Sequence, residues 1–302
     1  SYLVYDIILL TDQRYLSNPE NDPYISNILM EDELLTNALS QYKVRVFRTN
    51  WDDPEVDWSS TRFAMFRTTW DYFYRFNEFY PWFEATSALT SFINSKELVK
   101  WNFSKKYLLE LEKDGVRIPP TVFIPQGTDT SLKQKVMATT WKEFILKPAV
   151  GGTARHTYRF LRDHSSRYED LFAELIQSED MLLQEYLPDI TVKGEVAFMV
   201  MGGKFTHAVL KKAKPGDFRV QDDFGGTLHD YVPTEEEIKF AEDVVRHCPS
   251  LPLYARVDVM WDTLGRACVS ELEIIEPELW FRRHPAAAEV LAEKIVEYLK
   301  SS

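Results

Sequence analysis

The stretches Arg256-Val257-Asp258 and Glu271-Leu272-Glu273-Ile274-Ile275-Glu276-Pro277 decide how this chain is read. Each alternates charged with apolar residues, the period of a strand, and the segment 262–265 between them offers the turn of a hairpin. Residues i and i+2 of a strand share a face, so Arg256, Asp258, Glu271 and Glu273 converge on one surface. Like charges held together cost energy unless a cation neutralises them, and hard oxygen ligands suit magnesium. A solvated charged face is the plainer alternative, and the apolar neighbours Val257, Val259, Leu272 and Ile274 weigh against it.

Three other segments carry chemistry-bearing residues. Lys147 ends an apolar strand and leads into a small loop with Gly151, Gly152 and Thr153, where backbone N–H groups can approach phosphate oxygens. It is not a Walker loop, and taken alone it reads first as a tight turn with a surface lysine. Gln184-Glu185-Tyr186-Leu187 ends a strand, and Glu195 restarts one after Gly194. Such a strand end can offer backbone groups to an adenine edge and a carboxylate to ribose hydroxyls, though a solvated loop would look the same. Lys211, Lys212, Lys214 and Arg219 stand on a glycine-punctuated stretch that could close over a phosphoryl group or simply be a mobile surface loop.

The first hundred residues alternate strand and helix signals: strands at 3–10, 43–48 and 62–67, with a helix near 31–41. That pattern predicts a parallel α/β start. Ligands collect at the carboxyl edge of open α/β sheets, which places Arg67, Thr68, Trp70, Asp71 and Tyr72 beside a substrate. Helical spacing over 103–111 ends at Gly115 before Pro119-Pro120, marking a joint. Strands at 121–124, 143–147 and 181–186 with a helix near 166–178 then predict a compact α+β module. A hairpin turning at Gly202-Gly203, a helix opened by the capping box of Thr234 and Glu237, the hairpin already described and a last helix with Leu291, Ile295, Val296 and Leu299 complete the chain.

Composition narrows the partners. The 302 residues are 45% hydrophobic and 27% charged, ordinary for a globular protein and adverse to disorder. Lys plus Arg number 35 against 47 Asp plus Glu, and the net charge of -12 disfavours nucleic acid and anionic membranes. The opening apolar run is interrupted by Asp6 and is far shorter than the roughly 20 residues of a membrane span. Cys248 and Cys268 are the only two cysteines, which predicts reduced thiols and a cytoplasmic location rather than a disulfide framework or a thiolate zinc site.

Taken in order, these groups resemble the ATP-grasp superfamily of carboxylate ligases: a first lysine (Lys105), a second lysine with its small loop (147–153), an adenine hinge (184–187), a ribose carboxylate (Glu195), then R-x-D and E-x-[NE] metal strands. The segment from Glu271 to Pro277 is similar to the E-V-N-x-x-x-P end of glutathione synthetase-like members, with Glu273 where Asn is usual. W-D-D-P-x-V-D-W (51–58), R-T-T-W-D-Y (67–72), W-N-x-x-K (101–105) and G-D-F-R-V-Q (216–221) resemble the bacterial branch that contains cycloserine synthetase. The resemblance implies the ATP-grasp fold, α/β and α+β, with an N-terminal parallel α/β domain at 1–100, a joint at 101–120, a lid subdomain at 121–187 and a metal-bearing subdomain at 188–302.

It also implies ATP and two magnesium ions, with manganese as an alternative, held by Asp258, Glu271 and Glu273. Nucleotide contacts fall to Lys105, Lys147, Gly151, Gly152, Thr153, Gln184, Glu185, Tyr186, Leu187, Glu195 and Lys211. Arg219 and Arg256 are the expected catalytic residues, and Glu276, beside the metal ligands, joins the loop 67–72 as a substrate residue. The implied activity is an ADP-forming carboxylate–amine ligase acting on small molecules, as monomer or homo-oligomer. A kinase of the same fold, or a nucleotide-binding regulator without turnover, is the alternative, and the intact carboxylate set argues against the regulator.

Overall fold

A computed structural model describes residues 2–152, 155–220 and 225–302. The chain opens with β1 (Tyr5–Thr11), α1 (Pro23–Ser40), β2 (Val46–Asn50), β3 (Thr61–Thr68), α2 (Phe76–Ser87) and β4 (Ser91–Ile93). The strands form a parallel sheet in the order β2-β1-β3-β4, the α/β start that the alternation predicts. The first helix is longer than its apolar spacing suggests. Asp22 caps it by accepting from the Tyr24 N–H, and Pro23 occupies the first turn, so it starts at 23 rather than near 31.

Two short helices, α3 (Lys96–Phe103) and α4 (Tyr107–Lys113), replace the single helix expected over 103–111. A second sheet follows, built from β5 (Thr121–Ile124), α5 (Leu132–Met137), β6 (Glu143–Pro148), β7 (Tyr158–Leu161), α6 (Glu169–Ser178) and β8 (Met181–Glu185), with antiparallel order β5-β8-β6-β7. A one-turn helix α7 (Ile190–Lys193) leads to β9 (Glu195–Met201), β10 (Lys204–Lys212), β11 (Thr227–Tyr231), α8 (Glu235–Arg246), β12 (Tyr254–Trp261), β13 (Ala267–Glu273) and α9 (Ala286–Ser301). These strands make an antiparallel sheet in the order β11-β10-β9-β12-β13. The capping box of Thr234 and Glu237 opens α8 as its sequence requires.

The period of two explains how this last sheet is covered on both faces. Val196, Phe198 and Val200 of β9 join one buried cluster with Ala241, Val244 and Val245 of α8. Their alternates Ala197, Met199 and Met201 join another with Leu291, Ile295 and Leu299 of α9 and with Leu35 and Leu39 of α1. That second cluster also takes in Ile7, Leu9, Phe63 and Met65, so one apolar mass joins the parallel sheet to the sheet bearing the β12–β13 hairpin. The two cysteines are free and buried, and burial pushes both thiols up to about 12. No helix among the described residues is long and apolar enough to cross a membrane.

Candidate active site

The antiparallel register of β12 and β13 sets Arg256 opposite Glu273 and Asp258 opposite Glu271. Asp258, Glu271 and Glu273 each present a carboxylate oxygen, and these atoms lie within 4.8 Å of one another. Arg256 donates to both Asp258 oxygens at 2.9 Å and lies 3.0 Å from Glu273 Oε2. This two-pronged bond fixes the aspartate, which is 1% exposed. Burial raises the Glu273 pKa, against Arg256 and with the help of Glu271 and Asp258. Burial opposes the Glu271 charge as well, yet Lys105 and Lys147 hold its carboxyl below the usual range.

Those lysines reach the hairpin from elsewhere in the chain. Lys105 Nζ stands 3.8 Å from Glu271 and donates to the Gly151 carbonyl at 2.8 Å, while its backbone N–H donates to the Ala149 carbonyl. It therefore straps the small loop to the β12–β13 hairpin. Lys147, near the end of β6, loses basicity through burial with Glu271 opposing, and it forms no ion pair among the described residues. Thr153 lies outside the described residues.

Lys211 is not on a loop. It belongs to β10, pairs with Glu195 at 2.8 Å and stands 3.6 Å from Asp258; burial opposes its charge, but those carboxylates keep its pKa above the ordinary value. Ser270 donates to the other Glu195 oxygen at 2.8 Å. Gly194 permits this approach, since a Cβ at its φ of +76° would meet the Lys211 carbonyl oxygen at 2.4 Å.

The hairpin face opens onto a cleft. Its apolar part is lined by Ile145, Tyr186, Ile190 and Val220, which form one buried cluster with Phe218 and Met260 against it. Arg159 covers the Tyr186 ring at 3.9 Å. Gln184, Glu185 and Leu187 border the same slot. The Glu185 and Tyr186 N–H groups donate to the Pro120 and Glu143 carbonyls, whereas the Leu187 N–H makes no backbone hydrogen bond among the described residues. Arg219 lines the cleft and is held by Asp217 at 2.9 Å.

The loop 67–72 is dispersed. Arg67 is 2% exposed, donates to Asp32 at 3.0 Å and lies over the Phe281 ring. Thr68 donates to Thr11 at 2.6 Å, Asp71 accepts from Trp51 Nε1 and Arg75, and Tyr72 joins the aromatic cluster around Phe79. Of the substrate residues expected from sequence, Trp70 and Glu276 line the cleft, and the Trp70 indole N–H donates to the Glu276 carbonyl at 2.9 Å.

Tyr24, Glu278 and Trp280 also line it and were not expected. For the last two a signal existed: after the consecutive apolar pair Ile274-Ile275 an alternation resumes at 276, 278 and 280, with Pro277 and Leu279 buried between them. Tyr24 sits near the start of α1 and nothing in the local sequence marks it.

Residues 118–269, about half of the chain, match the model of the prokaryotic glutathione synthetase ATP-grasp domain. The chain belongs to this ATP-grasp family. Residues 7–94 match the model of the D-cycloserine synthetase DcsG N-terminal domain. The cycloserine biosynthesis protein DcsG of Streptomyces lavendulae is 28% identical over 271 residues, covering 83% of this chain and 88% of that relative.

The crystal structure of D-cycloserine synthetase DcsG superposes with a TM-score of 0.84 at 26% identity, over 97% of this chain and 99% of that one. The D-alanine–D-alanine ligase of Bacillus anthracis shares the fold, with a TM-score of 0.66 at 14% identity over 98% of both chains. This ATP-grasp chain is thus an ATP-dependent ligase of a family that works with Mg2+.

Proposed function

We propose that the chain activates a small amino-acid-like carboxylate as an acyl phosphate and transfers the acyl group to an amine, on the same molecule or on a second one. The observation that carries this reading is the hairpin face, where three carboxylates within 4.8 Å meet a buried arginine and two lysines. A substrate carboxylate oxygen attacks the γ-phosphorus of ATP, the bond from that phosphorus to the bridging oxygen breaks, and ADP leaves with the electron pair. The amine then attacks the acyl carbon, the C–O bond to phosphate breaks, and inorganic phosphate and one proton are released.

Asp258, Glu271 and Glu273 suit Mg2+, because their donors are hard oxygens already gathered around one point. We assign them two ions, with Mn2+ as the substitute. When bound, the metal supplies charge neutralisation at the β- and γ-phosphate oxygens. Arg256 holds Asp258 in place and, with Arg219, balances charge on the transferred group. Lys105 and Lys147 with the small loop take the phosphates; that Lys147 has no ion-pair partner among the described residues supports that role. The apolar slot receives adenine with the Leu187 N–H as donor, and Glu195 receives the ribose, supported by its place on the cleft wall.

Residues 121–187 act as the lid over this site, and the protein works in the cytoplasm. The full-length likeness to D-cycloserine synthetase DcsG supports an amino-acid-like substrate and makes intramolecular capture one form of the reaction. Incubation with ATP, Mg2+, a pool of amino acids and hydroxylamine tests the reading. It expects a hydroxamate with ADP and phosphate. AMP with pyrophosphate overturns the mechanism, and a phosphorylated alcohol without any hydroxamate replaces the ligase with a kinase.

A further inference from the structure

The small loop after β6 is held by its carbonyls. Lys105 donates to the Gly151 carbonyl at 2.8 Å. Arg155 donates to the Val150 carbonyl at 2.5 Å and is itself fixed by Glu179 at 2.8 Å. The N–H groups of Gly151 and Gly152, in contrast, make no backbone hydrogen bond among the described residues. Free N–H groups suit a phosphate only if the backbone that carries them is kept in place.

A third support comes from the far side of the cleft. A Cβ built on Gly152 would stand 3.0 Å from Cε1 and 3.3 Å from Cζ of Phe73, so the backbone of the loop rests directly on that ring. Phe73 follows the loop 67–72, and it lines the cleft together with Gly152, Lys147 and Glu271. Its ring has little room to retreat. It meets the buried Tyr72 edge-on at 5.5 Å and lies 4.5 Å from Tyr74. The turn from which it projects is braced in addition: Asp71 accepts from Trp51 Nε1 at 2.9 Å and from Arg75 at 3.0 Å, and Asp52 holds Arg75 at 3.0 Å. Trp51, Asp52 and Asp71, which the proposed reaction does not use, thus serve the placement of this ring.

We propose that Phe73 is a positioning residue of the nucleotide site: its ring is the stop against which Gly152 rests, and it sets where the free N–H groups of the small loop stand. This rests on the reading of that loop as the one that takes the phosphates. Phe73 supplies neither charge nor hydrogen bond and acts through Gly152. Removing the ring and adding a methyl group to Gly152 therefore disturb one and the same contact, and their effects are not additive.

The test is a double-mutant cycle of Phe73→Ala and Gly152→Ala in the whole protein with Mg2+. Calorimetry measures the Kd of a non-hydrolysable ATP analogue and of adenosine, which has no phosphate. Each single variant is expected to weaken the analogue about tenfold while leaving adenosine unchanged. Gly152→Ala is expected to cost less than about twofold more in the Phe73→Ala background, where its methyl group meets no ring. If Phe73→Ala does not fold, Phe73→Leu completes the same cycle.

Additive losses overturn the inference, as do single variants that bind the analogue normally. Adenosine weakened in step with the analogue marks Phe73 as merely structural and overturns it too. Lys147→Ala, measured alongside, separates the two readings. If it weakens the analogue while the cycle is additive, the inference falls alone; if it leaves the analogue unchanged, the phosphate reading of the loop falls and the inference with it.

Discussion

The β12–β13 hairpin and the loop that follows β3 are both rich in polar residues, but only the hairpin delivers its charged set to one place. Arg256, Asp258, Glu271 and Glu273 meet because a strand shows alternate residues to the same side and the register pairs them across the ladder. The loop 67–72 has no such rule. Its arginine turns inward to Asp32, which already holds Arg48 at 2.6 Å, and its tyrosine joins the aromatic core, leaving Trp70 at the cleft. Position at a sheet edge indicates where a ligand lies; it does not say which side chains face it.

Substitutions can break or sharpen this contrast. The largest effect belongs to the hairpin. Glu271→Gln is expected to reduce ATP turnover on the order of a thousandfold while the variant keeps its fold, the relief of a like charge beside Glu273 offsetting the lost attraction of Lys105 and Lys147. A variant with near-normal turnover would show that the hairpin is only a charged surface.

Arg67→Met, the matching change in the loop, is expected to act on stability. Urea titration should find a loss of about 3 kcal/mol, as a buried ion pair loses one partner, with nucleotide affinity unchanged. Full stability with a raised KM for the carboxylate would return Arg67 to the substrate site. Lys147→Ala is expected to weaken a non-hydrolysable ATP analogue by about 2 kcal/mol, roughly thirtyfold in Kd by calorimetry. Unchanged affinity in the folded variant would remove Lys147 from the phosphates. Smallest is Trp70→Phe, which forfeits the bond to the Glu276 carbonyl. It should lower stability by about 1 kcal/mol and raise KM for the carboxylate without changing KM for ATP.

What could be read from the sequence follows the same physics. The parallel start, the α8 capping box and the charged β12–β13 hairpin all rest on local rules, period or cap chemistry, and all appear in the structure. The extent of α1 was harder to read, because Glu31 and Asp32 are buried in it as ion partners and hydrogen-bond acceptors and interrupt the apolar stripe. Lys211 looked like a loop lysine because Lys212, Lys214 and Gly216 follow it, whereas pairing to β9 keeps it in the sheet. Tyr24 reaches the cleft through a tertiary placement that no periodicity encodes.

The account stands most directly on whether the hairpin face binds nucleotide through a divalent cation. Calorimetric titration of a non-hydrolysable ATP analogue into the unaltered protein and into Glu271→Gln, each with Mg2+ and with chelator, measures this. The account predicts tight binding only for the unaltered protein with Mg2+, and a loss in Glu271→Gln comparable to that caused by the chelator. Equal affinity in all four titrations would contradict it.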